Sequence, residues 1–219
     1  MKVINATRSL ILTMTLLLMC HVSQAQKYES ISPEQVKTLK MYAAQKVGQL
    51  NDYISFMANK QEPNENKKYY KKSALDLFVE KGEPFIEIIE FADGSKKKID
   101  REGVVMETAT IRNRKPRKRL MKTYFDDLIG DPAQQIIIQS TDIADMRVSQ
   151  LEAYGDGRYI CSVYFDQAYI KKYKDGHVYK DITRKWVVCY VDRHITTDST
   201  EAEYVVTLGD IHVESVSNM

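Results

Sequence analysis

Two side chains, His212 and Asp166, are the sequence's candidates for acid–base chemistry. His212 alternates with Asp210 and Glu214 in "GDIHVESV", and Ile211 and Val213 take the intervening positions. Alternate residues of a strand share a face, so carboxylates would flank an imidazole that titrates near neutrality. Such a histidine can act as a general base. Asp166 lies in "VYFDQAY", near Tyr164 and Tyr169. Buried among those rings, its carboxyl would rise toward neutral pH and become an acid–base group. The plainer reading of both is a strand face turned to water, and the sequence favours it.

Chemistry by charge has one candidate, "IRNRKPRKRLMK", Ile111 to Lys122, with seven basic residues and no acidic one. Arg112, Arg114, Lys115, Arg117, Lys118 and Arg119 are its candidates for an anionic ligand: a phosphate, a lipid headgroup or an acidic polysaccharide. The competing reading is a solvated loop leading into a helix, with Pro116 at the helix start. Sequence-specific nucleic-acid binding is not expected, because DNA-binding domains carry a positive net charge. Here, loss of a leader containing Lys2 and Arg8 takes 32 basic residues to 30, against 30 acidic ones.

Cys161 and Cys189 lie in consecutive strand-like segments. A turn centred on Asp175-Gly176 would place them one residue out of register. That favours two buried thiols over a cross-strand disulfide, which needs closely opposed Cβ atoms. Neither cysteine has CxxC spacing, and His177, His194 and His212 are scattered, so no metal site is expected. No motif calls for a cofactor. Fourteen tyrosines would suit an aromatic or sugar-binding pocket, although tyrosine is also an ordinary strand residue.

The first residues decide the compartment. "MKVINATRSLILTMTLLLMCHVSQAQ" has a basic start, an apolar run from Leu10 to Cys20, and small residues Ser23 and Ala25. This reads as a signal peptide over residues 1–25, cleaved after Ala25. The run is too short to cross a bilayer, which takes about 20 residues. A lipoprotein acylated on Cys20 is the alternative, but Met19 is large for the position before it. The expectation is an exported, periplasmic or secreted chain, residues 26–219, with no transmembrane segment and one domain.

The elements that must position these side chains follow from periodicity. Ser32, Pro33 and Gln35 form a helix start, and Val36, Leu39, Ala43, Val47, Leu50, Ile54 and Met57 trace one apolar stripe to about Asn59. A shorter helix carries Tyr70, Ala74, Leu77 and Phe78. "PFIEIIEF" and "KKKID" flank Asp93-Gly94 as a hairpin. A third helix carries Leu120, Met121, Tyr124, Phe125, Leu128 and Ile129. "QQIIIQSTD" and "MRVSQLEAYG" then read as one interrupted strand, followed by three long aromatic-rich strands. The class is α+β: a long N-terminal helix and two shorter ones packed on a strongly bent antiparallel sheet of about six strands.

This element order resembles the nuclear transport factor 2-like superfamily. The stripe Val36–Met57, "ALDLF" at Ala74–Phe78 and "RLMKTYFDDLI" stand where that fold has its three helices. The "YKDITRKWVVCYV" to "LGDIHV" ending also resembles exported Bacteroidetes proteins without an assigned activity. The resemblance implies a cone with an internal pocket. Some members are isomerases or dehydratases with an Asp or His in the pocket, and others bind ligands or proteins without chemistry. No catalytic motif of those enzymes is matched residue by residue. The expected role is a non-catalytic binding module for a small molecule or an envelope protein. An isomerase, dehydratase or hydrolase, and a module binding anionic surfaces through residues 112–122, remain alternatives. A homodimer through the sheet also stays open.

Overall fold

The computed structural model describes residues 31–219, apart from 92, 156–157 and 196–201. The proposed leader, its cleavage point and Cys20 lie outside the described residues. Among the described residues, no helix is long and apolar enough to cross a membrane.

Helix α1 runs Pro33–Ala58 and buries Leu39, Ala43, Val47, Leu50, Ile54 and Met57, the stripe read from the sequence. Each such side chain, fully buried, contributes about 1.5–3 kcal/mol of transfer free energy. Helix α2 spans Asn64–Leu75 and helix α3 spans Met121–Gly130. Asp131-Pro132 ends α3, since proline cannot continue a helix.

The strands are β1 Phe85–Glu90, β2 Lys96–Arg101, β3 Val105–Thr108, β4 Arg117–Leu120, β5 Gln135–Ser140, β6 Arg147–Val148, β7 Glu152–Gly155, β8 Arg158–Lys172, β9 Val178–Ile195 and β10 Ala202–Ser217. β1 and β2 form a separate antiparallel hairpin, as expected. The other eight make one sheet in the order β4-β3-β10-β9-β8-β5, with β6 and β7 also paired to β8. The sheet is open, with β4 and β5 at its ends.

This corrects the expectation of about six antiparallel strands. The sheet has eight strands and is mixed, because β3 meets β10 in parallel at Met106 and Ile211. The short strands β3 and β4 lack a long hydrophobic alternation. The segment read as one interrupted strand divides into β5, β6 and β7, each pairing β8 in turn.

The basic run is corrected as well. Arg117–Leu120 does not begin a helix; it pairs with β3 as an exposed edge strand, and α3 starts only at Met121. Charged edges are a usual device against strand-to-strand association. A third correction concerns the β8–β9 turn. Its five residues, Tyr173–His177, are closed by hydrogen bonds from the Tyr173 N–H to the His177 carbonyl (2.8 Å) and from the Gly176 N–H to the Tyr173 carbonyl (3.1 Å). An odd loop shifts the register by one residue from a two-residue turn, so Cys161 lies directly opposite Cys189. Both are buried free thiols in the structure.

The long strands carry the core on one face. Cys161, Val163 and Phe165 of β8, Val187, Cys189 and Val191 of β9, and Val206, Leu208 and Ile211 of β10 are buried. Helix α1 is tied to this sheet by the Ser55 hydroxyl, which donates to the Ile138 carbonyl at 2.8 Å. The β1–β2 hairpin is tied to it by Glu87, whose carboxylate accepts from the Tyr154 (2.6 Å) and Tyr190 (3.0 Å) hydroxyls.

Candidate functional site

Following the alternation of β9 backward from Val187 places Lys185, Thr183 and Asp181 on the same inward face. All three are buried, at 5%, 5% and 2% exposure. Gln167 of β8 stands directly across from Thr183 and is also buried. The outward positions between them hold Ile182, Arg184 and Trp186. Over these residues the inward positions are polar, and the inward face changes from a dry core to a polar floor.

That floor lies under a cavity of about 450 Å³. Tyr169, Lys171 and Tyr173 wall it from β8 and its turn, and Tyr124, Asp127 and Leu128 wall it from α3. Thr108, Thr110, Arg112 and Arg119 reach it from β3, β4 and their connection. A larger cleft of about 690 Å³ runs between the end of α1 and β5. Among the residues lining it, none is both titratable and buried, so it offers less chemistry.

Lys185 is the centre of the floor. Its Nζ donates to Gln167 Oε1 at 2.7 Å. Gln167 Nε2 in turn faces Asn51 Oδ1 of α1 and Ser140 Oγ of β5, both at 3.4 Å. The lysine therefore has a neutral amide as its bonded partner. Burial pushes its ammonium down to about 8, and the field of Asp181 opposes that shift only in part. Burial also raises the Asp181 carboxyl, while a hydrogen bond from the Tyr179 hydroxyl and the Lys185 charge pull it back. The Tyr179 hydroxyl accepts from the Ile111 N–H at 3.2 Å, which fastens the β3–β4 connection to the floor. Burial pushes the Tyr124 phenol up to about 12, so it is a neutral donor at physiological pH. At the rim, Lys171 pairs with Asp131 at 2.6 Å, and Arg119 pairs with Asp127.

The residues singled out in the sequence fall elsewhere or at the margin. Asp166 lies on the outer face of β8, paired with Arg184 at 2.9 Å, and both side chains are well exposed. His212 is also on the outer face. It stacks on Trp186 with ring centroids 4.1 Å apart, and its Nδ1 is 3.3 Å from Glu107 Oε1. Its carboxylate partner thus comes from β3 and not from its own strand. Asp210 accepts from the Val105 N–H at 2.8 Å and pairs with Arg101. The basic run is divided: Arg112 and Arg119 line the cavity, whereas Arg114, Lys115, Arg117 and Lys118 do not.

The sequence reading missed Lys185, Asp181, Thr183 and Gln167. A signal was present, since Val187, Cys189 and Val191 are apolar at two-residue spacing, and the same spacing carries their face to Lys185. Among the described residues, no three His, Cys, Asp or Glu side chains converge on a point that could hold a metal. Comparison with protein-family models, with curated proteins and with solved structures finds no match for this chain.

Proposed function

We propose that this chain is an exported binding module of nuclear transport factor 2-like architecture, with a bent sheet, and that it holds a small organic molecule at the polar end of its inward sheet face. One observation carries the reading: three successive inward positions of β9, Asp181, Thr183 and Lys185, are buried and polar beneath a cavity. Apolar residues there would stabilise the fold, because burying a charge costs several kcal/mol unless it is well paired. Aromatic walls with a few convergent polar groups are the usual make-up of a ligand site. In that superfamily the pocket lies inside the cone; the cavity here, walled by α3 and the inward faces of β8 and β9, supports the reading. The exported location rests on the three-part N-terminal segment.

Saturation-transfer NMR with 4-hydroxybenzoate tests the site. The probe should receive magnetisation from the native protein and lose it in Thr183→Phe, which fills the floor. Equal transfer in a folded Thr183→Phe protein would remove the cavity as the binding site. Intact-mass analysis of the native protein tests export: the chain should begin at Gln26, and a chain retaining Met1 would overturn that part.

A further inference from the structure

The polar floor contains a nucleophile as well as hydrogen-bonding groups. We infer that Lys185 forms an imine with a small carbonyl compound that carries a carboxylate, an aldehyde acid or keto acid; this rests on the binding reading above and specifies its ligand. Three observations converge on it. Lys185 lines the cavity although its residue is only 5% exposed. Its bonded partner is the Gln167 amide, not a carboxylate that would hold it as an ammonium. Exposed Arg112 sits at the mouth, where it can receive the carboxylate while the carbonyl end reaches the floor.

Burial favours the uncharged amine, and a lysine so desolvated is the usual amine nucleophile toward carbonyls. With its ammonium pushed down to about 8, the free-base fraction at pH 7 is about two to three hundred-fold greater than for an exposed lysine. In the reaction the Nζ lone pair adds to the carbonyl carbon, and the carbon–oxygen π bond opens. A proton passes from nitrogen to oxygen and gives a carbinolamine. Protonation of its hydroxyl expels water and leaves the carbon–nitrogen double bond. Asp181 lines the same cavity and its field reaches Lys185, which makes it the carboxyl available to relay those protons. No oxidant, reductant or metal enters the balance.

The test uses the folded mature chain, 4-formylbenzoate and sodium cyanoborohydride at pH 7, the last to reduce the imine to a stable secondary amine. Peptide mapping should place the first adduct on Lys185, formed at least about ten-fold faster than on any exposed lysine. Lys185→Met and Lys185→Arg should abolish it while circular dichroism shows the fold retained. The alcohol 4-(hydroxymethyl)benzoate, which has no carbonyl, should bind without an adduct. If 4-formylbenzoate binds in the cavity by NMR but no adduct forms at Lys185, the imine is overturned and the binding reading stands. Adducts spread over surface lysines in proportion to exposure overturn the imine equally. If neither compound binds and no adduct forms, both readings fall.

Discussion

The inward faces of β8 and β9 hold two regions built on the same backbone pairing and opposite in chemistry. At one end Val163 faces Val187 and Cys161 faces Cys189, all buried and apolar. At the other end Gln167 faces Thr183, with Asp181 and Lys185 to either side, equally buried and polar. The register is continuous between them, so strand geometry does not explain the difference. What differs is the cover. The polar end lies open to a cavity bounded by α3 and the β3–β4 connection. A polar residue is tolerated at a buried position when it has partners, and here Lys185 has the Gln167 amide and Asp181 the Tyr179 hydroxyl. The fold thus separates an apolar, stabilising half from a buried polar half along one pair of strands.

The sharpest way to break that comparison is to copy the polar end into the apolar one. Val187→Lys puts an ammonium two residues from Lys185 but into the closed core. It should cost about 4 kcal/mol or more, since an unpaired buried charge is among the most damaging single changes. Urea unfolding checks this; a loss below about 1 kcal/mol would mean that the apolar end is as open as the polar one.

The reverse change should stabilise. Lys185→Met removes a buried ammonium whose titration lies at about 8 against 10.5 in the unfolded chain. That difference is worth about 3 kcal/mol, and the lost bond to Gln167 returns about 1, leaving a gain of about 2 kcal/mol at pH 7. The sign of the pH dependence follows from proton binding. Between about 8 and 10.5 the unfolded chain holds a proton that the folded chain has released, so native stability rises with pH across that window. Below about 8 the penalty is present in full. The advantage of Lys185→Met should therefore be greatest at neutral pH and shrink as pH rises from about 8 to 10.5. A constant advantage would show that Lys185 is not desolvated.

How much of this was legible depended on the length scale of each signal. α1, the β1–β2 hairpin and the three long strands were readable, because a stripe from Val36 to Met57 or an alternation through Cys161, Val163 and Phe165 repeats often enough to be unambiguous. β3 and β4 were not, because a four-residue edge strand such as Arg117–Leu120 takes its structure from its neighbour and not from its own pattern. The site was missed for a related reason. Polar residues in a strand are ordinarily assigned to water, and only the parity inherited from Val187 places Asp181, Thr183 and Lys185 inside. The Glu107 partner of His212 could not be read at all, since it depends on the parallel contact between β3 and β10.

Within the polar end, the Asp181 field on Lys185 can be removed alone. Asp181→Asn keeps an acceptor for the Tyr179 hydroxyl and deletes the charge that raises the Lys185 titration. The Lys185 value should move further down, read by NMR of the carbon next to Nζ, and stability should change by about 1 kcal/mol or less, as for a neutral hydrogen bond retained. An upward shift would show that Asp181 does not act on Lys185.

The basic run offers a milder contrast between charges that line the cavity and charges that do not. Replacing Arg114, Lys115, Arg117 and Lys118 by Gln removes exposed groups, including a Lys118–Glu107 pair 3.7 Å apart whose lysine is 70% exposed. Each change should alter stability by no more than about 0.5 kcal/mol. Transfer to 4-hydroxybenzoate should persist, whereas Arg112→Gln should weaken it. Equal weakening by the four outer changes would move the anion site out of the cavity and onto the β4 edge.

The smallest effect is expected where the apolar end most resembles a chemical site. Cys161 and Cys189 are directly opposed, and their shared hydrogen bond together with burial pushes the Cys189 thiol well up. The Cys189 thiol so held is a poor nucleophile, because the thiolate is the reactive species; the same hydrogen bond pulls the Cys161 thiol down against its burial, and there it is burial that denies access to a reagent. The pair should behave as two small apolar core residues. Reducing agent should then leave the melting temperature unchanged, and a thiol reagent should modify the pair only after unfolding. Direct opposition is also what a cross-strand bridge would require. A bridge would close a loop of about 27 residues and add roughly 3–4 kcal/mol in the chain-entropy account. A melting temperature that drops on reduction, with a mass two hydrogens short before it, would show that the apolar end is locked by a covalent bond and not by packing alone.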